Sequence, residues 1–131
     1  MTFFTPSILQ GLVIASGGAI GALLRFITSQ FIYNRLGTNF PYGTLGVNII
    51  GSLLMGFLYI LFIERLALST EWRSFLLIGL LGAFTTFSTF SIETLNLMFS
   101  GELVKAALNI ILSVLLCIIA AWVGVVIGRQ L

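Results

Sequence analysis

The sequence predicts an all-α membrane protein of four transmembrane helices, the third of them broken near its middle. Three observations carry that prediction. Hydrophobic residues make up 59% of the chain and charged residues 8%, with a mean hydropathy of +1.17, whereas soluble domains carry about 25% charged residues. At about 20 residues per span, 131 residues hold four spans and leave little for a soluble catalytic domain. The stretch from Phe84 to Ser91 then puts five hydroxyl side chains and three phenylalanines into eight residues, with Glu93 shortly after it. Hydroxyls there compete with helical backbone bonding, and Gly79 and Gly82 weaken the helix further. Unwound backbone of this kind is tolerated at membrane depth only where it is buried in protein or lines a cavity. Residues 1–131 read as one four-helix domain with spans at about 8–32, 44–63, 74–99 and 103–127.

Composition excludes several function classes. Six basic and four acidic residues give a net charge of +2, but the basic residues form no run or stripe, so nucleic-acid binding has no support. Cys117 is the single cysteine, and the chain has neither His nor Asp. Intrachain disulfides, histidine-based metal sites, histidine triads and paired-aspartate chemistry are therefore excluded, and the chain reads as no enzyme. The N-terminus lacks the basic region of a signal peptide, so the first hydrophobic segment is expected to stay as a span.

In the first segment Gly17 and Gly21 lie four apart, a spacing that lets a neighbouring helix approach closely. Arg25 and Ser29 continue the same face. An arginine costs about 2.5–3.5 kcal/mol at a helix centre, so Arg25 either snorkels to the interface or serves a polar vestibule or subunit contact. A loop from Tyr33 to Gly43 with clear breakers follows. Along the second segment Thr44, Asn48, Ser52 and Gly56 share one helical face. Asn48 is the informative member: its amide is either interhelical glue or a donor into a polar path.

The second loop, from Glu64 to Arg73, is charged and carries an interfacial Trp72. The third segment is too long for one straight span, which fits a break between Gly82 and Ser91. Phe87 and Phe90, three apart, share nearly one face. Glu93 lies just past the break; as an intramembrane acid it is either functional or bonded to the hydroxyls of the break. After a turn at Ser100-Gly101, the fourth segment repeats the pattern, with Asn109, Ser113 and Cys117 in one row and Gly124 and Gly128 forming a small-residue pair. Two polar rows beside a hydroxyl-rich break would make a narrow polar track. The basic residues are balanced between the two sides, with Arg65, Arg73 and Arg129 facing Arg35, Lys105 and the nearby Arg25. That balance leaves the positive-inside rule little to act on, so the chain can insert both ways and pair antiparallel.

Gly43-Thr44-Leu45-Gly46-Val47-Asn48, together with Gly82-Ala83-Phe84-Thr85-Thr86-Phe87-Ser88-Thr89-Phe90-Ser91-Ile92-Glu93, resembles the small dual-topology fluoride channels, the Fluc or CrcB family. Arg25 and Gly101 agree with that family in order and spacing, and the similarity runs along essentially the whole chain. The resemblance implies an antiparallel homodimer in the cell (inner or plasma) membrane, with two pores each built from both chains. It implies that Phe87 and Phe90 turn ring edges to the fluoride path, with Asn48 and Ser113 as further path residues; Thr44, Ser88 and Asn109 are expected along the same path from the polar rows and the hydroxyl-rich break. It also implies a structural sodium ion held by the backbone carbonyls of Gly82 and Thr85. The chain departs from the family at Ala83, where many members have a second glycine, and at Asn109 and Cys117, where an aromatic or histidine and a serine are common.

The chemistry of the residues agrees with that implication. Fluoride is small and tightly hydrated, so a pore must replace its water with donors. Hydroxyls, the Asn48 amide and the positive edges of phenyl rings are such donors, and weak neutral sites suit conduction. A proton-coupled exporter of cationic drugs or guanidinium shares the size and charge balance, but such exchangers centre on a first-helix glutamate that this chain lacks. A purely structural subunit explains each polar residue singly and leaves their alignment unexplained.

Overall fold

A computed structural model describes residues 7–131. Among them every regular element is helical, and four stretches are long and apolar enough to cross a membrane. Helix α1 spans Ile8–Leu36. Ser7 opens it by accepting from the Gln10 N–H at 3.1 Å, which satisfies one of the free donors of the first turn. It continues past the expected residue 32 because nothing before Gly37 disfavours helix. Gly37 ends it with φ 86°, and its N–H donates to the Tyr33 carbonyl.

Pro41 precedes α2, Tyr42–Ile60, which widens into one π-helical turn at Leu61–Arg65. The third span has two parts. Residues 70–84, here α3, begin with an α-helical turn capped by Ser69, pass through a π-helical stretch at Ser74–Leu81 and end in a short α turn at Gly82–Phe84. Thr85 is then extended, with φ −85° and ψ 159°, and α4 resumes at Ser88–Phe99. The break expected over Gly82 to Ser91 is thus confined to residues 85–87, since the hydroxyls beyond it bond back along α4 without unwinding it. Helix α5, Leu103–Gln130, closes the fold.

Two close helix contacts organise the bundle. Helix α1 lies along α3, and α2 along α5. Gly21 faces the Leu80 carbonyl and Gly56 the Ala121 carbonyl so tightly that a Cβ on either would collide with backbone. Gly79 and Gly124 answer from the opposite helices, against the Ile14 and Leu53 carbonyls. Lipid supplies no hydrophobic drive between helices, so close backbone contact through small residues is what holds such bundles together. Large apolar side chains such as Phe26, Ile111 and Ile119 are exposed accordingly. At one end Arg65 donates to the Arg129 carbonyl and Arg129 pairs with Glu64 at 3.4 Å. At the other, Lys105 reaches Glu102 and the Asn39 carbonyl.

Candidate functional site

The site begins with the backbone of the break and one asparagine from α2. Asn48 Nδ2 donates to the Thr86 carbonyl at 2.9 Å, and the Thr86 N–H donates to Asn48 Oδ1 at 2.8 Å. This two-point clamp leaves only one orientation for the amide, because N–H must face oxygen at both contacts. Thr86 in turn caps α4: its Oγ1 accepts from the Thr89 N–H at 3.3 Å and bonds Thr89 Oγ1 at 3.1 Å. Thr85 turns back to the Leu81 carbonyl through both its N–H and its Oγ1. Gly51 on α2 leaves the space that the Thr85 methyl fills.

The same bonds account for two free carbonyls. In a continuous helix the Thr86 N–H would donate to Gly82 O, and the Thr89 N–H to Thr85 O. Both donors are diverted, one to Asn48 and the other to Thr86 Oγ1. No hydrogen bond among the described residues ends on the Gly82 or Thr85 carbonyl. Both residues border a groove of about 610 Å³.

Asn48 and Ser52 of α2 form one wall of that groove, Ser113 and Cys117 of α5 another, and Phe87 and Phe90 stand beside the break. No charged side chain lines it. The two phenylalanine rings are 5.3 Å apart and tilted by 47°, yet their settings differ. Phe90 is seated in the wall at 9% exposure, whereas Phe87 projects from the chain at 76%.

Other residues singled out in the sequence lie elsewhere. Thr44 is buried and donates to Glu93 Oε1 at 2.7 Å, with the Tyr33 hydroxyl 3.5 Å from its oxygen. Glu93 borders a second cavity of about 290 Å³ with Tyr33, Asn39 and Asn96. Ser88 is exposed and outside the groove lining. Asn109, 1% exposed, lies behind the groove wall. Arg25 is half-buried, with no hydrogen bond or ion pair among the described residues. The sequence reading missed Thr86 as the clamped residue and Thr94 as the partner of Asn109. Thr94 stands one helical turn beyond Phe90 in an apolar span, and that spacing is the signal that could have marked it.

Four apolar spans, a helix interrupted by hydrogen bonding from a neighbour, and an uncharged polar groove define a multi-pass membrane protein with the parts of a permeation path. The family described as "CrcB-like protein, Camphor Resistance (CrcB)" matches residues 12–125, and the chain belongs to that family. It is 58% identical over 118 residues to a protein of Methylococcus capsulatus, covering 90% of this chain and 52% of that one. It is 54% identical over 116 residues to a protein of Magnetococcus marinus, covering 88% and 94%. Against a Coxiella burnetii protein the identity is 55% over 121 residues, covering 92% and 98%. All three carry the name "Fluoride-specific ion channel FluC". The chain spans about half the length of the Methylococcus relative and nearly all of the other two.

Proposed function

We propose that this chain forms a fluoride-selective channel through which cytoplasmic fluoride leaves the cell passively, protecting it from fluoride that enters as HF from acidic surroundings. The observation that carries this reading is the uncharged groove in which ring, hydroxyl and amide groups converge beside the break. A dehydrating fluoride ion needs hydrogen-bond donors: Ser52 and the second Nδ2 hydrogen of Asn48 are available ones, and the Ser113 hydroxyl, held by Asn109 at 3.4 Å, is a third once released. The rim hydrogens of Phe87 and Phe90 add positive ring edge. A fixed cation would hold the ion too tightly, whereas neutral donors let it pass on. The relatives named above support the same choice of ion.

The working unit is an antiparallel homodimer in this reading. Phe87 and Ile118 are exposed at the groove in the single chain, and a second copy seals that open side and completes the pore. The free Gly82 and Thr85 carbonyls suit a hard monovalent cation such as sodium, which binds oxygen. Two carbonyls are too few to enclose such an ion, so both chains of the proposed dimer would have to contribute. When bound, such an ion would neutralise the dipoles of these carbonyls.

Fluoride and chloride efflux from liposomes carrying the purified protein tests the proposal. Fluoride release with hardly any chloride is expected. Comparable chloride flux, or uptake of a guanidinium cation driven by a proton gradient, overturns it.

A further inference from the structure

Behind the groove wall lies a polar chain that the sequence reading did not assemble. Ser113 Oγ donates to Asn109 Oδ1 at 3.4 Å, Asn109 Nδ2 donates to Thr94 Oγ1 at 2.9 Å, and Thr94 Oγ1 donates to the Phe90 carbonyl at 2.7 Å. Its two ends, Ser113 and Phe90, line the groove; its middle, Asn109 and Thr94, is buried within one chain at 1% and 6% exposure.

The direction of every proton in this chain is determined. Thr94 has one hydroxyl hydrogen, and the Phe90 carbonyl takes it. Only an N–H can then face Thr94 Oγ1, so the Asn109 amide must turn Nδ2 toward Thr94 and Oδ1 toward Ser113. Ser113 therefore points its hydrogen away from the groove and presents lone pairs to it. An anion at that point needs the opposite arrangement. At 3.4 Å the bond from Ser113 to Asn109 is long and weak beside the other two, so it is the one that yields.

We infer that Asn109 is a positioning residue which, with Thr94, parks the Ser113 hydroxyl on a weak internal acceptor and releases it to an arriving fluoride. The oxygen of Ser113 is kept in place, and only its hydrogen swings. Asn109 thus acts through Ser113 without touching the ion. This rests on the fluoride-channel reading above.

The test measures fluoride and chloride efflux from liposomes bearing the wild type, Asn109→Leu, Thr94→Val, Thr94→Ser, Ser113→Ala and the double variant Asn109→Leu/Ser113→Ala. Asn109→Leu and Thr94→Val each lower fluoride flux about tenfold, the scale of one hydrogen bond. Without the weak acceptor held in place, the Ser113 hydrogen falls to the backbone carbonyl one turn back, a stronger partner that does not yield. Thr94→Ser keeps the hydroxyl and restores the flux. Because Asn109 works through Ser113, the double variant is no slower than Ser113→Ala alone, a non-additivity that a merely structural role does not produce. Wild-type fluoride flux in Asn109→Leu, or losses that multiply in the double variant, overturn the inference. If Asn109→Leu does not fold, the near-isosteric Thr94→Val decides: flux equal to that of Thr94→Ser overturns the relay, and a loss that Thr94→Ser does not share supports it. A wild type that passes no fluoride overturns the channel reading itself, so the two failures are told apart.

Discussion

Asn48 shows how one side chain can do two things that the sequence leaves as alternatives. One of its amide hydrogens and its oxygen are spent on the Thr86 peptide, and its second hydrogen stays free beside the groove. Replacing it by leucine strands a peptide N–H and carbonyl in the membrane interior, at a cost of about 1–3 kcal/mol. Asn48→Leu is therefore expected to lower the melting temperature in detergent and the fluoride flux together; a variant that lost flux at unchanged stability would contradict the clamp. The two phenylalanines separate in the same assay. Phe90→Ile removes a seated ring and lowers both stability and flux, whereas Phe87→Ile, at an exposed ring, lowers flux with little effect on the fold of one chain. Unchanged flux in both would remove the aromatic part of the mechanism. The types and spacing of these residues were legible in the sequence. Their different burial was not, because a three-residue offset says that side chains are neighbours and nothing about which of them meets another helix.

The four spans follow from hydropathy and length, while the shape of the third follows from its neighbours. Its composition predicts a break, yet composition cannot say where the helix resumes. That depends on where Asn48 of α2 meets the chain and on Thr86 capping α4. Serines and threonines beyond residue 87 satisfy themselves on carbonyls one turn back, as Ser91 does on Phe87, so they coexist with helix. The small-residue pairs were legible as packing signals, and their partners became visible only in the fold. Gly21 meets Leu80, and Gly56 meets Ala121. Gly21→Val is expected to force α1 off α3 and to abolish recovery of folded protein. The same change at Gly11, which has open space around it, is expected to be tolerated. A normal yield for Gly21→Val on gel filtration would refute that contact.

On the scale of the whole molecule, the balanced charge and the open groove point the same way. Single cysteines placed at Arg35, in the last turn of α1, and at Arg65, in the turn that ends the second span, in a chain whose Cys117 is replaced, should each label to about half with a membrane-impermeant reagent in intact cells if the chain inserts both ways. Full labelling at one position and none at the other would rule out antiparallel pairing. Sodium removal should lower the melting temperature and sodium return should restore it, since a ligand of the folded state stabilises by mass action. A melting temperature indifferent to sodium would exclude a structural role at the Gly82 and Thr85 carbonyls.

By itself the sequence determined the environment and the ingredients: four apolar spans, a third span that must break, glycine stripes for close packing, and donors without fixed charge. Those are properties of single segments, set by local composition and period. Only the tertiary structure decided how the row Thr44, Asn48, Ser52 and Gly56 is shared out, with one residue facing Glu93, one the break, one the groove and one α5. It likewise put Asn109 behind the wall, bonded to Thr94 and Ser113. The physical reason is that a hydrogen bond between helices belongs to neither sequence segment alone. Its donor, its acceptor and the direction of its proton are settled only when the helices meet.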